Sequence, residues 1–164
     1  MNIVLIGLRG AGKTTVAKLL SKKQSMNCIS TDDEISAIEK ASISNIVKNH
    51  GWKHFRRLEK NVITGLADSD NTVIDTGGGV IMDPDNVKIL KSLGKVFCLT
   101  APVSLLYKRI ERSIDRPKLT NEDDGLSELN KLFEERESLY REAADAIVDT
   151  EGKSPKQIVE EIVT

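Results

Sequence analysis

The sequence predicts a three-layer α/β/α fold, in which one parallel sheet is covered by helices on both faces. Short apolar runs typical of buried strands alternate along the chain with segments of helical periodicity. Such alternation indicates a parallel sheet, because parallel strands are joined by crossover helices. We therefore expect five strands in one doubly wound domain that spans 1–164. The strands are predicted at 2–6, 27–30, 72–75, 95–100 and 145–149, and the helices near 13–23, 32–48, 52–67, 84–93, 102–113, 125–142 and 155–163.

Composition indicates no macromolecular partner. The formal net charge of the 164 residues is −1, which offers no basic surface for nucleic acid or an anionic membrane. The apolar stretch at the N-terminus has four residues, so it predicts neither a signal peptide nor a membrane span. We expect a cytoplasmic monomer that acts on a small molecule. Cys28 and Cys98 lie in apolar strand-like runs and are expected to be buried thiols rather than a disulfide.

The first strand leads into a glycine-rich loop that is predicted to bind phosphate. Residues 7–14 read G-L-R-G-A-G-K-T, which fits the pattern G-x-x-x-x-G-K-[ST]. Glycines let backbone N–H groups approach an anion closely, and the dipole of the following helix adds to the attraction. We predict an ATP and Mg²⁺ site in which Lys13 reaches the phosphates and Thr14 is a metal ligand. Its cofactor-binding residues are Arg9, Gly10, Ala11, Gly12, Lys13, Thr14 and Thr15. The side chain of Arg9 could contact phosphate or face solvent.

Two other strand ends carry residues suited to a ligand, since ligands of such sheets bind beyond the carboxyl ends of the strands. After the second strand comes S-T-D-D-E at 30–34, which also suits the start of a helix, so the sequence alone leaves the role of Asp32 open. After the third strand come Gly77, Gly78 and Gly79. Three consecutive glycines are costly in conformational entropy and exceed what a simple turn needs. We predict that they bring the backbone against a ligand.

Two arginines lie inside or beside apolar helical stripes, where a charged side chain needs an anion or a route to water. Arg136 falls in the middle of one stripe, and Arg56 borders another stripe that contains Glu59. An ion pair within the protein, or a side chain that reaches past the helix edge, would also explain these positions. We predict instead a clamp for a small anionic substrate. The stripe around Arg136 consists of Leu126, Leu129, Phe133, Tyr140 and Ala143.

The segment near 112–124 is predicted to be a mobile lid. It lies within a strongly charged stretch, basic at first and acidic from Glu122 to Asp124, that has few apolar residues. A solvated helix end and loop would have the same composition. A lid fits better beside a phosphate loop, because a kinase must exclude water from the transferring phosphate.

Together these motifs resemble the shikimate kinase family of small P-loop kinases, over nearly the whole chain. The phosphate loop is shared by many kinases, but the ordered set of motifs is far more specific. The resemblance rests on the loop at 7–14, F-R-R-L-E at 55–59, T-G-G-G at 76–79, R-P-K-L at 116–119 and E-R-E-S-L-Y at 135–140. It implies transfer of the γ-phosphoryl group of ATP to the 3-hydroxyl of shikimate, a step of aromatic amino-acid biosynthesis.

The resemblance also implies roles for matching residues. Arg56 and Arg136 would hold the shikimate carboxylate, and Asp32 would orient or deprotonate the attacking hydroxyl. Lys13 and Arg116 would stabilise charge on the transferring phosphoryl group. The adenine would lie between Arg109 and the turn around Pro155. The full set of substrate-binding residues, within and beyond a helical region near 32–60, would be Asp32, Arg56, Gly77, Gly78, Gly79 and Arg136.

The chain departs from the family after the second strand. Members usually have Asp-x-Asp, and this chain has Ser30-Thr31-Asp32. A serine therefore replaces the first acid of the motif, which helps hold Mg²⁺ in the family. We hypothesise that Asp75, at the end of the third strand, takes over this role, as strand-end acids do beside other phosphate loops. The predicted metal site is Thr14, Asp32 and Asp75. Lys118, where the family often has an apolar residue, adds charge to the lid.

Two other functions remain as alternatives. One is another small-molecule P-loop kinase, acting for example on gluconate or a nucleoside monophosphate. The other is a nucleotide-binding switch or paralogue without catalysis, which Ser30 alone favours. The arginines and the glycine triplet instead favour a compact substrate with a carboxylate. A base-binding surface, which a nucleotide acceptor would need, is not evident in the sequence.

Overall fold

The computed structural model describes residues 1–111 and 125–164, and these form the predicted sheet. All the strand pairs are parallel, in the order β2-β3-β1-β4-β5. Each predicted strand is present within one residue of its predicted ends. The strands are β1 Asn2–Ile6, β2 Asn27–Ser30, β3 Thr72–Asp75, β4 Gly94–Thr100 and β5 Ala146–Asp149.

Helices connect the strands as the periodicity predicted, with two differences in segmentation. The helix predicted over 32–48 is divided at Lys40, which has a left-handed conformation (φ 53°), and Ser42 caps the next helix. That next helix continues through a break at Gly51 to the end of the segment predicted near 52–67. The helices are α1 Lys13–Gln24, α2 Thr31–Glu39, α3 Ile43–Gly65, α4 Pro84–Leu93, α5 Val103–Ile110, α6 Gly125–Ala143 and α7 Pro155–Val163. No helix of the described ranges is long and apolar enough to cross a membrane.

The sheet explains why one predicted buried cysteine is exposed. Strands β1 and β3 are buried along their whole length, because they lie inside the sheet and are covered on both faces. Cys98, on the inner strand β4, is buried as predicted. Cys28 is exposed, so that prediction was wrong. It lies on β2, an edge strand with a single neighbour, and the apolar pattern of the sequence does not distinguish an edge strand from an inner one.

The register of the strands brings three chain segments to one edge of the sheet. Asp75, the last residue of β3, is aligned with Leu5 on one side and with Ser30 on the other. The phosphate loop therefore begins beside the acid of β3 and the serine of β2. This edge is the carboxyl end of the strands, where the sequence predicted a ligand.

Candidate active site

Two adjoining cavities lie at the carboxyl edge of the sheet. The first, which we call the loop cavity, has a volume of about 420 Å³. The second, the arginine cavity, has a volume of about 490 Å³. The loop cavity contains Gly10, Gly12, Lys13, Thr14, Thr15, Asp75 and Arg109, and the arginine cavity contains Arg9, Arg56, Glu59, Gly79 and Arg136. Both are lined by Asp32, Asp33, Gly77 and Gly78, so a molecule in one cavity would meet a molecule in the other at these residues.

The phosphate loop holds Lys13 at the floor of the loop cavity. The side chain is buried, and its Nζ donates to the carbonyl oxygens of Gly7 (2.7 Å) and Leu8 (3.1 Å). Helix α1 begins directly after Gly12 without a side-chain cap, so its first N–H groups face the loop. Ala11 is buried in the core and is not among the lining residues. The arrangement suits a phosphate group bound by backbone N–H groups and one ammonium.

Thr14 and Asp75 form a hydroxyl–carboxylate pair on the wall of the loop cavity. The Thr14 hydroxyl donates to Asp75 Oδ2 at 2.6 Å. Burial raises the pKa of Asp75, whereas the hydrogen bond from Thr14 and the charge of Lys13 lower it. Ser30 lies in the same cavity and caps α2 by accepting from the Asp33 N–H.

Arg109 closes one side of the loop cavity. Its Nη1 donates to the carbonyl of Gly10 and to the hydroxyl of Thr150, each at 3.1 Å. It therefore links the phosphate loop to the turn after β5. Pro155, predicted beside it, is exposed at the start of α7 and does not line the cavity. Arg116 and the predicted lid over 112–124 lie outside the described residues.

In the arginine cavity, the Arg56 guanidinium is oriented from two sides. Its Nη1 donates to Glu59 Oε1 at 3.0 Å, one turn along α3. Its charged end also lies 5.3 Å from the ring centres of both Trp52 and Phe55. Glu59 is buried, as its place in the apolar stripe predicted. Because the side chain is held by an ion pair and two rings, little conformational entropy would be lost when it binds an anion.

Glu59 carries a strongly perturbed carboxyl in this cavity. Only 1% of the residue is exposed, and Oε2 has no hydrogen-bond partner among the described residues. Burial raises the pKa of Glu59 to about 7, although the Arg56 guanidinium opposes the shift. The negative charge of Asp32 adds to it. The proton occupancy of Glu59 therefore changes near neutral pH.

Wild-type protein is expected to lose stability relative to Glu59→Gln as the pH rises from about 5 to about 8. The pKa is about 7 in the folded chain and 4.5 ordinarily, so the folded state binds more protons in this window. Its free energy of unfolding then falls with rising pH, by up to about 3 kcal/mol from this group. Glutamine does not titrate, so the variant lacks this fall. Urea unfolding at both pH values measures the difference, with the exposed Glu135→Gln as control. Equal slopes for wild type and Glu59→Gln would contradict the prediction.

Arg136 approaches the same cavity from α6. It is 6% exposed, and its Nε has no hydrogen-bond partner among the residues that the structure describes. One turn later on α6, the buried Tyr140 hydroxyl donates to the carbonyl oxygen of Gly78. Burial raises the pKa of Tyr140, so the hydroxyl remains a donor. Both arginines that the helical stripes singled out line one cavity. That they clamp an anionic substrate stays a prediction.

The glycine triplet forms the wall between the two arginines. The N–H of Gly77 donates to the Thr31 hydroxyl at 3.2 Å. A Cβ at Gly79 would lie 2.2 Å from Arg56 Nη2, far inside van der Waals contact. The absence of a side chain at Gly79 thus makes room for the guanidinium.

Gly79→Ala is expected to raise the KM for the anionic substrate at least tenfold while the fold remains intact. The backbone at Gly79 (φ −96°) suits any residue, and the clashing atoms belong to the flexible end of Arg56, so the arginine moves and the chain does not. Steady-state kinetics and thermal unfolding measure the two effects. Gly65→Ala, where nothing lies within 4 Å of the added carbon, is the control. A large loss of stability with unchanged KM would show that the glycine serves the fold.

Arg9 does not face solvent, one of the two possibilities that the sequence left open, because its side chain is only 12% exposed. Its guanidinium forms an ion pair with Glu128 at the start of α6, and the side chain lines the arginine cavity rather than the loop cavity. Its predicted part in nucleotide binding stays a prediction.

Sequence reasoning also did not identify Glu128 as a partner or Tyr140 as more than a core residue. A signal was present, since Glu128, Leu132, Arg136 and Tyr140 recur every four residues and are all buried. Trp52 and Phe55, predicted as core, line the arginine cavity.

Comparison with known proteins identifies the family. A model of the family described as shikimate kinase matches residues 9–164. A shikimate kinase of Hahella chejuensis is 43% identical over 162 residues, which are 99% of this chain and 84% of that protein. The chain belongs to the shikimate kinase family. The predicted family is confirmed, and with it the predicted class, an ATP-using kinase.

Solved shikimate kinases have the same fold as this chain. The structure from Acinetobacter baumannii in complex with shikimate has a TM-score of 0.94 at 33% identity, and the match covers 99% of this chain and 90% of that one. The structure from Aquifex aeolicus has a TM-score of 0.85 at 36% identity, and the match covers 99% and 94%. The predicted three-layer kinase fold is thereby confirmed.

Proposed function

We propose that the loop cavity binds ATP, that the arginine cavity binds shikimate, and that the γ-phosphoryl group passes to the 3-hydroxyl where the cavities meet. The observation that best supports this proposal is that the two cavities share Asp32, Asp33, Gly77 and Gly78. One cavity has the phosphate loop at its floor, and the other has two arginines for a carboxylate. Phosphoryl transfer needs mainly positioning and charge stabilisation, and this geometry supports both.

Asp32 is the proposed orienting group for the attacking hydroxyl. It is half-buried, lines both cavities and lies close to Gly77, where an added Cβ would be 2.9 Å from Asp32 Oδ1. A carboxylate at this junction can accept the hydroxyl proton as the oxygen–phosphorus bond forms. In the arginine cavity, Arg56 and Arg136 hold the substrate carboxylate.

Lys13 and Arg116 are the residues that we assign to stabilise the charge of the transferring phosphoryl group. The ammonium of Lys13 is within reach of any phosphate held by the loop, and it donates to backbone carbonyls of Gly7 and Leu8 that a phosphate can replace. Arg116 is proposed from the family resemblance alone. On the same basis, Arg109 and the turn around Pro155 would flank the adenine, which the place of Arg109 at the edge of the loop cavity supports.

We infer Mg²⁺ as the metal, held by Thr14 with Asp75 and Asp32 nearby. Among the described residues, no cluster of three or more His, Cys, Asp or Glu could hold a metal. Mg²⁺ needs no such cluster, because it typically takes one or two protein oxygens together with phosphates and water. The Thr14–Asp75 pair faces the loop cavity and fits this donor set. Bound there, the ion would neutralise charge on the nucleotide phosphates.

Asp75→Asn is expected to weaken Mg²⁺ binding in the presence of ADP about tenfold or more, and Ser30→Asp to strengthen it. The first change removes the carboxylate that orients Thr14, and the second supplies an acid where the family usually has one. Isothermal titration of MgADP against ADP alone measures the metal directly, without turnover. Asp149→Asn, at the end of the edge strand β5, is the control. An unchanged metal affinity in Asp75→Asn would refute the compensating role of Asp75.

The activity test is ADP release from MgATP by the purified protein. Shikimate, gluconate and CMP are supplied in parallel. Release that depends on shikimate alone supports the proposed acceptor, and stimulation by gluconate or CMP instead would assign a different one. We also infer a monomer in the cytoplasm, for which composition and charge are the support.

A further inference from the structure

Tyr140 is a buried tyrosine whose hydroxyl the proposed function does not use. It lies one turn after Arg136 on α6, is 5% exposed and lines neither cavity. Phenylalanine would fill nearly the same space without the cost of desolvating a hydroxyl, which is recovered only when the hydroxyl is hydrogen-bonded. The partners of this hydroxyl therefore indicate what it does.

The first partner is the carbonyl oxygen of Gly78, in the middle of the glycine triplet. The carbonyl oxygens of Gly77 and Gly79 accept instead from backbone N–H groups three residues later, at 3.2 Å and 3.1 Å. Among the described residues, Gly78 is thus the member of the triplet whose carbonyl is held by a side chain, and that side chain comes from another helix. Local turn geometry holds its neighbours, whereas Tyr140 holds Gly78.

Fixing this carbonyl also fixes the next N–H group. Across a trans peptide bond the carbonyl and the following N–H point in opposite directions, and the described chain has no cis peptide bond. Tyr140 therefore sets the direction of the N–H of Gly79. That N–H lies beside Arg56, because a Cβ added at Gly79 would overlap the Arg56 guanidinium.

The second partner of the hydroxyl is Arg136. Burial raises the pKa of Tyr140, and the charge of Arg136 and its hydrogen bond to the phenol oppose the shift. The hydroxyl thus accepts from the guanidinium while it donates to Gly78. One buried oxygen thereby joins the arginine of α6 to the glycine triplet, which are two walls of the arginine cavity.

We propose that Tyr140 is a positioning residue, which orients Arg136 and the N–H of Gly79 toward the carboxylate of the acceptor. It does not touch the acceptor, because it lies behind the wall of the cavity. With the guanidinium and the peptide held in place, less conformational entropy is lost when the carboxylate binds. The inference rests on the proposed function, since it takes shikimate as the occupant of the arginine cavity.

Tyr140→Phe is expected to raise the Kd of shikimate about tenfold, and the Kd of ADP by less than about twofold. Its hydroxyl is directed to the triplet and not to the phosphate loop, so the nucleotide should be little affected. Calorimetry with each ligand alone measures both constants, and unfolded protein lowers the number of sites rather than the affinity. Tyr107→Phe is the matched control, because Tyr107 is the other tyrosine of the chain, is half-buried on α5 and lines neither cavity.

A double-mutant cycle tests whether Tyr140 acts through Arg136. In the background of Arg136→Met, the further change Tyr140→Phe is expected to raise the KM for shikimate by no more than about threefold, because one of the two groups that it orients is already gone. Steady-state kinetics of the four proteins provides the comparison. A tyrosine that merely stabilised the fold would have the same effect on KM in both backgrounds.

The outcomes separate the inference from the proposed function. If the wild type does not bind shikimate, both fail. If Tyr140→Phe lowers the melting temperature but leaves the Kd of shikimate unchanged, the positioning role is wrong and the proposed function stands. An equal loss of affinity for ADP and shikimate, or a tenfold effect of Tyr140→Phe in both backgrounds of the cycle, also overturns the positioning role.

Discussion

Lys13→Met is expected to lower kcat by about 10²- to 10³-fold, the usual effect of removing one donor from a developing charge. The ammonium is the one charged donor described at the floor of the loop cavity, and methionine retains most of its volume without the charge. The same substitution removes two hydrogen bonds to the carbonyls of Gly7 and Leu8, so stability should also fall, by about 1–3 kcal/mol. Single-turnover kinetics together with thermal unfolding separates the two effects.

Lys18→Met, on the exposed side of α1, is the control for Lys13→Met. It removes a lysine from the same helix without touching the loop cavity, and its kcat should match that of the wild type. If Lys13→Met keeps a kcat within a few-fold of the wild type after correction for unfolded protein, the assigned role of Lys13 fails.

Arg136→Met is expected to reduce kcat/KM for shikimate by a factor of roughly 30 to 1,000, mainly through KM. The buried guanidinium would otherwise pair with the substrate carboxylate, and without it that carboxylate is desolvated with only Arg56 as partner. The KM for ATP should change little, because Arg136 does not line the loop cavity. Steady-state kinetics with each substrate varied in turn provides both constants.

Arg141→Met is the matched control for Arg136→Met, since Arg141 lies on α6 but is exposed and paired with Glu137. An equal rise in KM for both variants would indicate that α6 responds to any loss of charge. An equal rise in the KM for ATP and in the KM for shikimate would show that Arg136 supports the fold rather than the binding of the acceptor.

The parts of the site that local pattern determines were predictable. The spacing of glycines and lysine in 7–14 predicted the phosphate loop. The apolar stripes placed Arg136 inside one stripe and Arg56 at the border of another. Both signals are local, because they repeat at the period of a helix or lie in one short segment. They can therefore be recognised from residues that are close together in the sequence. The order of the strands, by contrast, came only from the structure.

Contacts between distant segments were not predictable in the same way. Arg9 and Glu128 are separated by 119 positions, and no periodicity relates a loop to a helix so far along the chain. The exposure of Cys28 depends on which strand lies at the edge, which is a property of the whole sheet. The division between α2 and α3 was missed because Lys40 takes a left-handed conformation that lysine seldom adopts.

The break at Gly51 sets the direction of the part of α3 that carries Trp52, Arg56 and Glu59. Gly51 has φ 83° and ψ 169°, and a Cβ added there would meet nothing within 4 Å. A side chain would therefore meet no steric clash at this position. Other residues are disfavoured by the backbone conformation instead, because L-residues rarely adopt it. A D-amino acid would adopt it without strain. The geometry of one wall of the arginine cavity thus depends on the chirality allowed at one backbone position rather than on any packed side chain.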